Sequence, residues 1–183
     1  MFIAWIVMIM DALSSNLALR PPRTMSWGDN LPRNFSWFRV NRIAGSACPE
    51  SELELISLVG VGINHVVTLS EDKMPPSCIK SCKKLKWTFI PILNFQGADL
   101  CDYEKFFDVC DIGPIDSILV HCRMGRGRTG MLLAAYVMKY EGMSAELAIK
   151  VVRSMRPNSI ETLNQEQSLQ NLEKYLDNLK NRN

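Results

Sequence analysis

The spacing of hydrophobic residues predicts strands mixed with helices in the first two thirds of the chain and helices alone after that. Short runs rich in β-branched and aromatic residues predict strands, and hydrophobic residues at helical spacing predict helices. From Thr129 onward the pattern is helical to the end of the chain. The predicted strands are residues 36–40, 64–69, 86–93 and 117–120, and the predicted earlier helices are residues 50–59 and 103–109.

Two breaks divide the C-terminal helical region, Gly142-Met143 and Arg156-Pro157-Asn158. Ser144 and Thr162 follow these breaks at positions where a hydroxyl can cap a helix N-terminus. Strands that mix with helices and then give way to helices predict an α/β fold, with a central mixed sheet flanked by helices and a helical C-terminal half. We expect hydrophobic residues of the first and last of these helices to pack on the domain, namely Met131, Leu132, Ala135, Met138, Leu169, Leu172, Tyr175, Leu176 and Leu179.

Length and composition indicate an ordinary globular protein. The chain has 183 residues, of which 47% are hydrophobic and 22% charged. These values exclude intrinsic disorder, collagen, a coiled coil and a polytopic membrane protein. A net charge of +2 lacks the basic excess of a nucleic-acid-binding protein. We expect an N-terminal extension over residues 1–30, one domain over residues 31–181, and no nucleic acid partner.

The first residues form an almost unbroken apolar run, Met1 to Met10. Ten residues are too few to span a bilayer, which takes about 20, and a signal peptide would have basic residues before the apolar run. The stretch Arg20-Pro21-Pro22-Arg23 has the composition of a linker, and Met25 offers an alternative start. We therefore expect no membrane partner unless residues 1–24 act as a signal or anchor. The expected location is the cytoplasm, with the nucleus as a second option.

The six cysteines are irregularly spaced, and His65 and His121 are the only histidines. Cys78 and Cys82 are not followed by the second Cys or His pair that a zinc site needs. An even number of cysteines is compatible with disulfides in a secreted chain, but for 183 residues reduced, buried thiols are the simpler interpretation. We expect no metal and no cofactor.

Residues 119–130 contain the candidate chemistry and read Leu-Val-His-Cys-Arg-Met-Gly-Arg-Gly-Arg-Thr-Gly. A strand, a glycine-rich loop and a helix N-terminus in this order form an anion site, because loop amides and the helix dipole point inward. Such a loop can curl until Cys122 and Arg128 face one tetrahedral anion. The planar guanidinium can then bind two of its oxygens.

The positive potential of this loop is expected to stabilise Cys122 as a thiolate. It comes from the amides and from three arginines, Arg123, Arg126 and Arg128, while Thr129 can add a hydroxyl hydrogen bond to the sulfur. A thiolate opposite phosphate-binding donors is a nucleophile aimed at phosphorus.

Two other interpretations of the loop are weaker. Residues 125–130 also match the G-x-G-x-x-G pattern of dinucleotide-binding loops, but the acidic partner expected about 20 residues later would be Glu146, which lies in a helical pattern. The Walker A pattern is absent. A tight turn with an incidental buried cysteine explains the glycines, but it does not explain three arginines so close to the thiol.

The pattern His-Cys-x-x-Gly-x-x-Arg-Thr-Gly at residues 121–130 resembles the signature loop of the cysteine-dependent protein tyrosine and dual-specificity phosphatases. Further stretches resemble the small, atypical dual-specificity members, and the likeness covers roughly residues 31–175. These stretches are Asn34-Phe35-Ser36-Trp37, Arg42-Ile43-Ala44-Gly45 and Arg156-Pro157-Asn158-Ser159-Ile160-Glu161-Thr162.

This resemblance implies a protein tyrosine phosphatase-like fold in which Cys122 carries a phosphocysteine intermediate and Arg128 holds the phosphoryl group. It also implies that loop amides form the cradle for the phosphate oxygens. The implied substrates are phosphotyrosine, phosphoserine and phosphothreonine on proteins, acted on by a monomer. The expected substrate-binding residues are Arg123, Met124, Gly125, Arg126, Gly127 and Thr129.

The sequence departs from the family at the general acid. The family has an aspartate there, followed here by an aromatic residue, and the position is Asn94, whose amide cannot protonate a leaving group. Asp99 is the replacement we predict, although an aspartate at that point is also a common helix N-cap. Glu161 is a second candidate, since the family places its loop near the pocket.

Gln165 has two interpretations: it orients the water that cleaves the phosphocysteine, or it forms a capping box with Thr162. Arg153 and Arg156 either extend a positive rim or lie on a solvated face.

Three functions remain open at this point. The first is a protein phosphatase, which the combination of Cys122, Arg128 and Thr129 favours. The second is a pseudophosphatase that binds phosphoproteins, which Asn94 favours. The third is a phosphatase of a non-protein substrate, RNA 5′-phosphate or a phosphoinositide, which the same loop permits.

Overall fold

The computed structural model describes residues 30–112 and 117–181. The run Met1–Met10, and almost all of the predicted N-terminal extension, lie outside these residues. The described residues form five strands, five α-helices and one 3₁₀ helix. The strands are β1 (Ser36–Arg39), β2 (Ile43–Ala47), β3 (His65–Ser70), β4 (Lys86–Ile92) and β5 (Ile118–Cys122); the helices are α1 (Glu52–Gly60), the 3₁₀ helix (Ser77–Ser81), α2 (Leu100–Ile112), α3 (Gly127–Glu141), α4 (Ala145–Met155) and α5 (Leu163–Lys180).

One mixed sheet organises the fold, with strand order β1-β2-β5-β3-β4. β1 pairs antiparallel with β2, and the other neighbours pair parallel. Ala47 lies opposite Cys122, and Thr68 lies opposite His121. The carboxyl ends of β2, β3 and β5 therefore share one edge of the sheet. Ligand sites of open α/β sheets lie at this kind of edge.

The two faces of the sheet bury separate hydrophobic clusters. Alternate residues of β5 contribute to each, because successive side chains of a strand point to opposite faces: Ile118 and Val120 pack with α2 to α5, whereas Leu119 packs with α1 and the 3₁₀ helix. Helix α3 is buried from Gly127 to Met138. It is thus the central helix of the larger cluster.

The predicted fold class and elements are confirmed, with two differences. Strand β2 was not predicted, because Gly45 and Ser46 give it little strand propensity; its five residues are all buried between β1 and β5. Helix α3 begins at Gly127, two residues earlier than expected. Ser144 and Thr162 are N-caps as predicted, each accepting a hydrogen bond at 3.3 Å from the N–H three residues later.

The predicted hydrophobic stripes are also confirmed. The α3 residues are fully buried, and those of α5 pack on the same cluster, except that Leu179 at the end of the stripe is 40% exposed.

All six cysteines are free. Three are buried as expected, but Cys78 and Cys82 are half-buried and Cys101 is exposed. Within the described parts of the chain, no helix combines the length and apolarity that crossing a bilayer requires.

Candidate active site

Cys122 is the last residue of β5, and its side chain is buried at 3% exposure. Residues 123–126 form the loop that leads from β5 into the N-terminus of α3 at Gly127. The strand–loop–helix order predicted for this segment is therefore confirmed. The buried thiol lies where the chain turns toward the positive end of a helix dipole.

The carbonyl groups of three consecutive loop residues, 123–125, are bound from outside the loop. The first accepts a hydrogen bond from the backbone N–H of Cys48 at 3.4 Å. The second and third accept from Asn34 Nδ2 at 3.2 and 2.9 Å, and the third also accepts from Arg156 Nη2 at 2.8 Å. In a planar trans peptide the N–H points opposite to the C=O. The N–H groups of residues 124–126 consequently point to the opposite side, as an anion cradle requires.

Gly125 allows the loop to lie directly on β2. Its φ is +69°, a left-handed conformation that glycine adopts without a Cβ penalty. A Cβ at this position would lie 2.3 Å from the carbonyl carbon of Ser46 and 2.5 Å from the backbone nitrogen of Ala47. Because backbone atoms cannot move aside as a side chain can, the position requires glycine.

Arg128 is buried at 2% exposure and is held by two acidic residues. Its Nη1 donates to Glu71 Oε2 at 2.5 Å and to the carbonyl oxygen of Ile92 at 2.8 Å, and its Nη2 lies 3.9 Å from Asp72 Oδ1. Glu71 also accepts the backbone N–H of Asn94 at 3.1 Å through Oε1. One carboxylate thus connects the arginine of the loop to the segment that carries the predicted general-acid position.

The arginines differ from the prediction in where they lie. Arg123 and Arg126 are exposed rather than gathered around the thiol, and Arg123 pairs with Asp72 at 2.8 Å. The hydrogen bond from Arg123 lowers the pKa of that carboxyl below its ordinary value. Arg156, expected on a rim or a solvated face, is instead buried behind the loop at 4% exposure. Sequence spacing could not reveal this, because Arg156 reaches the loop through tertiary packing alone.

The predicted hydrogen bond from Thr129 to the sulfur is not formed. Thr129 is fully buried, and its Oγ1 has no hydrogen-bond partner among the residues that the structure describes. Its Cγ2 faces Gly45 of β2, where an added Cβ would lie 2.9 Å away. The side chain therefore packs α3 against the sheet.

His121 is buried and neutral. Burial lowers its pKa to about 4. Its Nε2 lies 2.7 Å from Thr68 Oγ1, which accepts a hydrogen bond from Trp87 Nε1 at 2.9 Å. The Thr68 hydroxyl has one proton and two lone pairs, so it pairs with His121 Nε2 in either tautomer of the neutral ring. His121 is thus positioned as a structural residue of the sheet.

The candidates for general acid occupy different environments. The Asp99 carboxylate accepts the N–H of Asp102 at 2.8 Å, and Asp102 accepts the N–H of Asp99 at 3.2 Å, so Asp99 caps α2. Glu161 Oε2 instead accepts the N–H of Gly127, where the loop enters α3, at 3.0 Å. Asn94 is exposed, and its backbone N–H is bound to Glu71.

Gln165 is buried at 1% exposure and lies against the loop. Its Oε1 accepts the N–H of Glu161 at 2.8 Å, rather than the N–H of Thr162 that a capping box requires. A Cβ on Gly127 would lie 2.8 Å from Gln165 Nε2. The capping-box prediction is therefore correct only for Thr162, and the Gln165 amide is placed beside the loop.

Among residues 30–112 and 117–181, no three or more His, Cys, Asp or Glu side chains are grouped so that they could hold a metal ion.

A family model for the phosphatase domain described as "PTP-SAK: Swiss Army Knife protein, DSP-PTPase phosphatase domain" matches residues 32–169. The chain belongs to this family. It is 30% identical over 168 residues to protein tyrosine phosphatase domain-containing protein 1 of Mus musculus, and 37% identical over 155 residues to dual specificity protein phosphatase 1 of Arabidopsis thaliana. Among solved structures, Tk-PTP in a mutant form is 27% identical with a TM-score of 0.69, and the match covers 78% of this chain and 96% of that one.

The two relatives differ in how much of them this chain spans. The alignments cover 80% and 81% of this chain, but 22% of the mouse protein and 72% of the Arabidopsis protein. The family resemblance and the fold class predicted from the sequence are confirmed.

Proposed function

We propose that this phosphatase domain hydrolyses phosphotyrosine in proteins, with phosphoserine and phosphothreonine as further substrates, through a phosphocysteine intermediate on Cys122. The observation that carries the proposal is the loop itself: three consecutive carbonyls are bound by donors outside the loop, so that the N–H of each of these peptides points away from its donor. The likeness of the three flanking stretches further supports an atypical dual-specificity phosphatase similar to dual specificity protein phosphatase 23. We propose that it acts as a monomer.

The proposed reaction has two steps. The Cys122 sulfur attacks phosphorus and forms an S–P bond while the P–O bond to the leaving group breaks, and the leaving oxygen takes a proton from a general acid. Water then attacks phosphorus and gives a proton to the carboxylate left by the first step, the S–P bond breaks to release the Cys122 thiolate, and inorganic phosphate leaves. Amides of the loop and Arg128 bind the equatorial oxygens, whose charge they stabilise. Phosphorylated proteins are the proposed partners.

Replacing the nucleophile tests the proposal. Cys122→Ser should abolish the hydrolysis of nitrophenyl phosphate while the far-UV circular dichroism spectrum and urea midpoint stay close to those of the wild type. Cys101→Ser, which changes an exposed thiol, is the matched control and should keep full turnover. A pre-steady-state burst of nitrophenol equal to the enzyme concentration would identify the covalent intermediate. Retained turnover in Cys122→Ser would reject the assignment.

Substrate class is tested with a panel of phosphotyrosine and phosphothreonine peptides, a phosphoinositide and an RNA 5′-phosphate. Fastest turnover of a phosphopeptide supports the proposal, and fastest turnover of the lipid or RNA contradicts it. Binding of phosphopeptides without turnover would instead identify a pseudophosphatase.

We further propose Glu161 as the general acid in preference to Asp99. Each carboxylate accepts one backbone N–H, but that of Glu161 lies where the loop enters α3, whereas that of Asp99 lies at the start of α2. General acid loss typically costs about 10²–10⁴-fold in rate, and alkyl leaving groups need the proton most. Glu161→Gln should slow a phosphothreonine peptide by at least about 100-fold and nitrophenyl phosphate far less.

Asp99→Asn is the comparison variant, because asparagine caps a helix as well as aspartate does. It should retain activity on both substrates. A loss confined to Asp99→Asn would assign the acid to Asp99, as the sequence analysis predicts. Asn94→Asp should raise turnover of the alkyl ester by restoring a carboxyl at the position the family uses.

A further inference from the structure

Arg156 lies at the C-cap of α4 and extends its side chain beneath the signature loop. Its Nη2 donates to the carbonyl oxygens of Asn34 and Gly125 at 2.9 and 2.8 Å, and its Nη1 donates to Ser36 Oγ. All three acceptors are neutral. The guanidinium is therefore hydrogen-bonded but is not paired with a carboxylate through these contacts.

The burial of this charge is unusual. Across the described stretches of the chain, no carboxylate forms an ion pair with Arg156, and its buried Nε has no hydrogen-bond partner. A buried charge without a counter-charge is costly to the fold. Arg128 is the opposite case, since Glu71 and Asp72 offset its charge. Groups held at such a cost occur preferentially at functional sites.

The site contains one group that can act as the counter-charge, the Cys122 thiolate. Burial lowers the pKa of Arg156 below its ordinary value, and the negative charge of Cys122 acts in the opposite direction. Gly45 of β2 makes room for the guanidinium, because a Cβ there would lie 3.1 Å from Cζ. An arginine in such a position remains protonated, since its side chain does not lose its proton in proteins.

We propose that Arg156 is a positioning residue of the phosphatase reaction, which acts on the nucleophile and on the cradle from behind the loop. Its bond to the Gly125 carbonyl keeps the Arg126 N–H turned toward the phosphate, and its unneutralised charge favours the thiolate form of Cys122. This inference rests on the proposed function.

The other ionisable groups around the loop do not supply a buried, unpaired positive charge like that of Arg156. Burial raises the pKa of Cys48 to about 11 and lowers that of His121 to about 4, so both are neutral at pH 7. Glu161 is bound to the Gly127 amide, Arg126 is exposed to solvent, and the other charged groups form ion pairs. Those paired groups are Arg123, Arg128, Glu71 and Asp72.

Two substitutions at Arg156 separate its charge from its hydrogen bonds. Arg156→Lys keeps the charge but not the fork of donors, so it should lower kcat/KM about tenfold and leave the pH dependence of Cys122 alkylation by iodoacetate unchanged. Arg156→Met removes both, so it should lower kcat/KM at least about 100-fold and shift the midpoint of alkylation upward by about one pH unit. Alkylation is followed at Cys122 by peptide mass spectrometry, because the exposed Cys101 reacts with iodoacetate as well.

Arg39→Met is the matched control, since it removes an arginine that pairs with Glu141 and makes no contact with the loop through its hydrogen bonds. It should lower stability while leaving the alkylation midpoint and kcat/KM at wild-type values. If Arg156→Met does not fold, Arg156→Gln gives the same measurement. Asn34→Gly keeps the positive φ of that residue and removes only its side-chain donor, so it should reduce kcat/KM without moving the alkylation midpoint.

An alkylation midpoint and kcat/KM unchanged in a folded Arg156→Met or Arg156→Gln variant would overturn the inference. Equal midpoint shifts in the lysine and methionine variants would overturn its electrostatic part. If the wild type hydrolyses no phosphate ester but the methionine variant still shifts the midpoint, the proposed function fails while the effect of Arg156 on the thiol stands.

Discussion

The signature loop depends on a single residue, Gly125, for its contact with β2. Replacing it with alanine should cost more than the left-handed backbone alone, because the new Cβ would lie 2.3 Å from the carbonyl carbon of Ser46. Gly142 has the same φ of +69° with no atom within 4 Å of its Cβ position. Gly142→Ala should therefore cost about 1–2 kcal/mol of unfolding free energy from the backbone alone, and Gly125→Ala about 1–3 kcal/mol more.

The activity of these two variants should differ as well. Gly125→Ala displaces the loop amides and should lower kcat/KM at least about 100-fold, whereas Gly142→Ala, at the C-cap of α3, should retain it. Urea denaturation measures the unfolding free energy of each variant, and turnover of an aryl phosphate measures its kcat/KM. Equal stability losses in the two variants would show that the contact with β2 is unimportant.

Individual residues of the site were predictable in proportion to how local their contacts are. Cys122, Arg128 and Gly125 lie within seven positions of one another, so their pattern is visible in the sequence. The contacts of Asn34 and Arg156 with the loop are not visible in the sequence, because each side chain bonds to loop carbonyls that are distant in the chain. Both lie in the stretches that resemble the atypical phosphatases, and their contacts with the loop give that resemblance a physical cause.

At the scale of elements, three adjacent strands are joined by a chain of side chains, Trp87 on β4, Thr68 on β3 and His121 on β5. The pKa of His121 is lowered from 6.5 to about 4 by burial. The unfolded chain therefore binds the proton more readily than the folded one, so stability is present above pH 6.5 and is lost as the pH falls toward 4. The loss reaches up to about 3 kcal/mol.

Urea unfolding of the wild type and of His121→Gln between pH 7 and pH 4 measures this loss. The two free-energy curves should approach one another as the pH falls, because the variant lacks the titrating group. His65→Gln retains His121 and should keep the wild-type pH dependence that His121 causes. Parallel curves for the wild type and His121→Gln would contradict the assignment.

The elements themselves were predicted where hydrophobic spacing was regular and missed where it was not. Strand β2 has no alternating pattern because both of its faces are covered and Gly45 faces Arg156 and Thr129. Asp99 was predicted as a catalytic or a capping residue, and no local pattern separates these roles. Only the mutual hydrogen bonds of Asp99 and Asp102 place it at the start of α2.

At the scale of the whole molecule, the loop is held by segments from most of the described chain. Asn34 precedes β1, Glu71 follows β3, and residues 156–162 connect α4 to α5. In this connection Ile160 has a φ of +57°, a strained conformation for a β-branched residue. Close packing against α3 maintains this conformation. Gly130 of α3 lies so near that an added Cβ would be 2.5 Å from Ser159 Cβ and 3.2 Å from the Ile160 nitrogen.

The described contacts to the loop come from residues 34–165, and the family match covers residues 32–169. A shortened chain of residues 30–181 should therefore fold and turn over substrate like the full chain, as expected for a domain over residues 31–181. We expect its unfolding free energy to lie within about 0.5 kcal/mol of the full chain and its kcat/KM within about twofold. The shortened chain carrying Cys122→Ser is the inactive control. A stability loss above about 1 kcal/mol would show that residues 31–181 are not the whole of the stable domain.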